Sequence, residues 1–132
     1  MSTYPATMSA VEISEFGGPE VLKLVERPTP EPGQGEVLIK VAAAGVNRGD
    51  CVQRIGFYPA PPGASDLPGL EVSGTVDAVG PEVDGIAVGD EVVSDAAGLA
   101  ITNPGVGGEV VAAKALDSAG GAGEFIEVLL VQ

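Results

Sequence analysis

The chain carries little of the usual equipment for acid–base or metal chemistry. It has no histidine and one cysteine, Cys51. Without imidazole it lacks the commonest general base and the commonest metal ligand. Triads that depend on histidine and histidine-based zinc sites are therefore excluded. One thiol makes neither an internal disulfide nor a cysteine cluster for zinc. Polar chemistry concentrates in two places. Asn47 to Gly56 (NRGDCVQRIG) is dense in polar groups, with Asp50 placed to cap a short helix and Val52 and Ile55 on one helical face. Within it, Arg48 and Arg54 read as phosphate or loop contacts or as solvated charges, and Cys51 as a small buried apolar residue. The second place is Asn103 to Gly108 (NPGVGG), where Gly105, Gly107 and Gly108 precede a helical pattern as a phosphate cradle requires. Their spacing is not the full G-x-G-x-x-G, and no acidic residue follows a second strand to hold a ribose. Such turns before a packed helix also occur without any cofactor.

The 132 residues fit one domain. The formal charge of −13, from 6 Lys plus Arg against 19 Asp plus Glu, argues against binding nucleic acid or an anionic membrane, because phosphates are held by cations. The hydrophobic fraction of 45%, mostly Val and Ala, is too high for a disordered acidic chain. No apolar run approaches the roughly 20 residues that cross a bilayer. The start MSTYPATMSA lacks the basic and apolar stretches of a signal peptide, so the cytoplasm is the expected compartment.

The elements that must position the polar groups are strands. Gly (20) and Pro (11) punctuate short Val-rich runs, a pattern of β-structure with many turns. Residues 1–8 read as a flexible leader. Ser9–Glu15 alternates as a half-buried strand. A second strand spans Val21–Val25, closed by Arg27–Gly33, whose prolines cannot sit inside a ladder. Glu36–Val46 is the strongest strand signal, with Val37, Ile39 and Val41 facing one way and Leu38 and Lys40 the other. Phe57–Gly69 is a proline-rich loop of the kind that often forms a binding surface. Leu70–Val79 is a strand whose Gly74 marks a bulge or a close backbone approach. Val88–Val93 is another strand, Gly108–Ala119 a helix and Glu124–Val131 a final strand. Short strands so spaced suggest a small barrel or sandwich.

Four segments carry a family resemblance: FGGPEVL (Phe16–Leu22), PGQGEVLIKVAAAGVNRGD (Pro32–Asp50), GFYPAPPGASDLPGLEVSGTV (Gly56–Val76) and AVGDEV (Ala87–Val92). Together, over about Met8 to Val93, they resemble the zinc-free quinone oxidoreductases of the medium-chain dehydrogenase/reductase superfamily. The resemblance implies a mainly β, GroES-like, partly open barrel with one or two short helices, lining one wall of an active-site cleft. In that family a following Rossmann domain supplies NADPH. Where zinc-dependent members of the superfamily place a cysteine and a histidine, this chain has Asn47 and Leu70, neither of which replaces a thiolate or imidazole on zinc. Glu71 stands where those members keep a glutamate, and one carboxylate does not hold a catalytic metal. The resemblance assigns Asn47 and Tyr58 places beside nicotinamide and substrate. An amide has two donors and an acceptor, suited to a carboxamide or a substrate carbonyl. A tyrosine hydroxyl can donate to the oxygen that gains charge as hydride arrives. The plainer readings are that Asn47 closes a turn and Tyr58 braces its loop.

The chain departs from the family after Val93, because too little remains for a complete Rossmann domain. In one reading Glu124–Val131 completes the barrel and residues 94–122 are an atypical Gly/Ala-rich insertion. In the other, Leu99–Thr102, the Gly105–Gly108 turn, a helix and Glu124–Val131 imitate a β-α-β dinucleotide unit. The first is preferred because a barrel missing a strand leaves an unpaired edge that Glu124–Val131 can close. Either way the chain alone is expected to bind no NADPH. Three functions follow: the barrel of an NADPH:quinone or enone reductase that needs a Rossmann partner chain; a non-catalytic binding or oligomerisation module; or an isolated or engineered barrel fragment. An uncovered apolar face would favour homo-oligomers.

Overall fold

The computed structural model describes residues 4–94, 100–102 and 126–130. Strands β1 (Thr7–Ile13) and β2 (Leu22–Pro28) form an antiparallel hairpin through a 3-10 turn at Pro19–Val21. Five more strands form a second sheet: β3 (Glu36–Ala44), β4 (Val72–Val79), β5 (Glu91–Ser94), β6 (Ala100–Thr102) and β7 (Ile126–Leu130). Its order is β6-β5-β4-β3-β7, and every neighbouring pair is antiparallel. The one α-helix among the described residues is α1 (Arg48–Arg54). Among those residues the two sheets do not close into a barrel. The mainly β architecture is the expected one.

The alternation along β3 explains how the layers meet. Val37 and Ile39 turn to one side and join Val72, Val76 and Val92, all at most 2% exposed. Leu38 turns to the other side and packs with Met8 and Ala10 of the hairpin. β3 is thus buried on both faces. Each such side chain contributes about 1.5–3 kcal/mol on leaving water. Gly74 fulfils both of its expected roles. It pairs with Val41 beside the irregularity where Ala42 is left without a partner, and a Cβ there would lie against the Lys40 carbonyl oxygen.

Several boundaries move. β1 begins at Thr7, so Met8 is a core residue and not part of a leader. Val21 belongs to the 3-10 turn, and β2 runs on to Pro28. Proline is tolerated there because it ends the ladder; the next amide, Thr29 N–H, donates to Ala6 O at 3.0 Å. β5 starts only at Glu91, because Asp90 closes a tight turn on Ala87 in both directions, at 2.9 and 3.1 Å.

β7 pairs with β3 from Glu36↔Leu130 to Lys40↔Ile126 and so covers the β3 edge. β6 lies at the opposite edge, with three strands between. These two strands are therefore not the adjacent pair that a β-α-β unit needs. Gly105, Gly107, Gly108, the expected helix Gly108–Ala119 and most of the 94–122 insertion lie outside the described residues.

Candidate functional site

α1 starts where β3 ends, and Asn47 is its N-cap, in extended conformation (φ −113°, ψ 159°). Asp50 stands three positions on and its Oδ2 accepts from Asn47 N–H at 2.7 Å, while Asp50 N–H donates to Asn47 O at 3.1 Å. The Asp50 carboxylate thus closes the helix start on Asn47 in the manner of a capping box, while the Asp50 amide closes on the Asn47 backbone carbonyl. Asp50 is the N3 partner and Asn47 the cap, the reverse of the assignment expected from Asp50 alone. The other Asp50 oxygen, Oδ1, is buried without a partner.

The Asn47 side chain reaches across to the segment that enters β4. Its Nδ2 donates to Glu71 Oε2 at 3.2 Å. Two glycines make the approach possible. A Cβ at Gly45 would run into the Glu71 carboxylate, and one at Gly49 would lie 2.8 Å from Leu70 Cδ1. Gly45 N–H also donates to Glu71 O at 2.9 Å, which ties the two segments through the backbone. The positions Asn47, Leu70 and Glu71 therefore meet in space. They offer an amide, an isobutyl group and one carboxylate, a donor set that does not fit zinc. Among the described residues no group of three His, Cys, Asp or Glu is placed to hold a metal ion.

Tyr58 follows α1 directly, after Phe57 N–H closes on Val52 O at 3.0 Å. Its ring is 50% exposed, and its hydroxyl has no hydrogen-bond partner among the described residues. Tyr58 and Asn47 lie at opposite ends of α1 and are not joined by a hydrogen bond. Val46, Phe57 and Leu70 are exposed large apolar side chains as well. An open concavity of about 190 Å³ exists elsewhere, over Ala42, Gly74, Thr75, Glu91 and Val92, and neither Asn47 nor Tyr58 lines it.

The loop bearing Tyr58 is anchored at its far end by groups the sequence reading passed over. Arg27 Nη2 donates to Glu12 Oε2 at 2.8 Å and to Asp66 Oδ2 at 2.9 Å. The Glu12 hydrogen bond first, then Asp66, raises the Arg27 pKa above its ordinary value. Buried Gln53 of α1 donates to Asp66 O at 3.4 Å, and Leu67 packs on the Met8, Ala10 and Leu38 cluster. Arg54 is a loop contact. Its Nε donates to Gly17 O, and its carbonyl accepts from Gly17 N–H, both at 3.1 Å. Cys51 is exposed, not buried. Of the described cations, Arg27 and Arg54 are committed to protein partners, whereas Lys23, Lys40 and Arg48 are exposed. Among those residues no helix is long and apolar enough to cross a membrane.

Relatives agree with this architecture. A quinone oxidoreductase of Lama guanicoe is 46% identical over 93 residues, covering 70% of this chain and 28% of the relative. A mycobacterial protein solved in complex with NADPH is 52% identical, with a TM-score of 0.57, over 66% of this chain and 26% of that one. A cobalt- and zinc-bound thermostable alcohol dehydrogenase from Pyrobaculum aerophilum is 46% identical, with a TM-score of 0.58, over 67% and 26%. The chain thus spans less than a third of the length of these proteins. The alcohol dehydrogenase GroES-like domain family matches residues 33–132. With the Asn47–Glu71 junction carried between β3 and β4, this chain belongs to that GroES-like domain family.

Proposed function

We propose that this chain is the substrate-side domain of an NADPH-dependent quinone or enone reductase that works without zinc. The observation that carries the reading is the Asn47–Glu71 contact beside Leu70, which supplies hydrogen bonds and an apolar wall where a metal site would need thiolate and imidazole. The identity to quinone oxidoreductases supports the substrate class, and the NADPH-bound relative supports the cofactor. NADPH would supply hydride, held by a second domain, in keeping with the small share of its relatives that this chain spans. Asn47 holds a carbonyl by hydrogen bonding. Tyr58, half-exposed beyond α1, donates to the oxygen that becomes negative as hydride adds. Exposed Leu70, next to Glu71, offers apolar surface beside Asn47. Within this reading the chain acts in the cytoplasm, and residues 94–122 are an insertion before the closing strand.

The test is reduction of a quinone by NADPH, measured with the chain alone and with a relative's nucleotide-binding half supplied. Turnover in the second case only supports the proposal. No turnover in either case removes the activity and leaves a binding module.

A further inference from the structure

Resting on that reading, we propose that Glu71 is the positioning residue of Asn47, holding its amide by Nδ2 so that one fixed N–H is left to face the ligand. The ligand atom that meets this N–H is then an acceptor such as a carbonyl oxygen.

The argument begins with what a carboxylate can do. Ionised, it accepts hydrogen bonds and donates none. The amide end facing Glu71 Oε2 must therefore be Nδ2, and one of its two hydrogens is spent there. Oδ1 lies on the other side of the amide. The capping box sets the Asn47 side chain toward the backbone N–H of Asp50 at the first turn of α1. One Nδ2 hydrogen is thus spent on Glu71, and the second is left to meet a ligand.

The surroundings are built for this arrangement. Gly45 has no Cβ where one would displace the Glu71 carboxylate, and its N–H fixes the Glu71 backbone at 2.9 Å. Gly49 leaves room for the Leu70 methyl group. Glu71 is half-buried and has no ion-pair partner among the described residues. A carboxylate partly withdrawn from water without a cation is costly unless its hydrogen bonds matter. Its one side-chain partner among those residues is Asn47. A single fixed donor discriminates ligands. It suits a quinone carbonyl, or the carbonyl end of a carboxamide.

The test is NMR on the full chain labelled with nitrogen-15 and carbon-13, reading the Asn47 side-chain amide. The probe is tetramethyl-1,4-benzoquinone, whose fully substituted ring resists addition of the exposed Cys51 thiol. In the unsubstituted chain the two Nδ2 protons should be well separated, with one shifted downfield, and a through-bond coupling should link Nδ2 to the Glu71 carboxyl carbon. Glu71→Leu should collapse that separation, and Glu71→Gln, which retains an acceptor, should restore it, with the backbone spectrum otherwise retained. Added quinone should shift the second proton in the unsubstituted chain and in Glu71→Gln, and not in Glu71→Leu. An absent coupling, or an Asn47 signal indifferent to Glu71→Leu, overturns the inference. A fixed amide that the quinone never perturbs supports the role of Glu71 and counts against the quinone reading, so the two failures are distinct.

Discussion

Asn47 and Glu71 stand 24 positions apart in the chain and meet through a 3.2 Å hydrogen bond from amide to carboxylate. The bond links the start of α1 to the start of β4, so the candidate site is held by the junction of two elements and not by one loop. Its geometry depends on the absence of side chains at Gly45 and Gly49 as much as on the groups present.

Two glycine substitutions should separate the site from the sheet. Gly74→Ala drives a methyl group against the Lys40 backbone carbonyl, which cannot swing aside. It should cost about 1–3 kcal/mol in urea unfolding. Gly45→Ala meets the end of a flexible carboxylate, so it should cost less while breaking the Asn47–Glu71 bond. Equal losses of stability would contradict this division.

Leu38→Ala should destabilise the domain by about 2–5 kcal/mol, because Leu38 joins the hairpin to the five-stranded sheet. Its hydrogen-exchange signature should be loss of protection in both β1 and β3. Loss confined to β3 would show that the hairpin stands without it.

Arg27 holds the Tyr58 loop through Asp66, whereas its bond to Glu12 stays within the hairpin. Asp66→Asn should therefore speed amide exchange over residues 57–66, and Glu12→Gln should change it little. Added salt should act like Asp66→Asn, since the pair is exposed. The raised Arg27 pKa means its contribution is complete below the ordinary arginine value and fades only as pH climbs past the raised one. Deprotonation of Arg27 should thus not release the loop across the neutral range.

The exposed apolar side chains Val46, Phe57 and Leu70 should favour self-association. Sedimentation should show a concentration-dependent average mass, reduced by Phe57→Ser. A strict monomer at high concentration would contradict this.

Much of the fold was legible because burial follows alternation. Val37 to Val41 alternates, and the structure buries Val37 and Ile39 on one face and Leu38 on the other. The Gly74 irregularity was legible for a similar local reason. Strand starts were less so. The Asp90 turn delays β5, and it depends on a side chain folding back on Ala87, which no periodicity records. The site was half legible. Asn47 and Tyr58 were found through resemblance, but the bond from Asn47 to Glu71 and the Arg27 anchor join distant segments. The glycines two positions either side of Asn47 were the available signal, marking where a neighbour comes close.

The central claim is that this domain lines the substrate side of a metal-independent hydride transfer. Its most direct test joins the chain to a relative's nucleotide-binding half and follows NADPH oxidation by a quinone after exhaustive chelation. The account predicts turnover that survives the chelator and falls about 10²-fold or more in Tyr58→Phe. A joined protein that binds NADPH yet reduces no quinone, or does so only with added zinc, would contradict it.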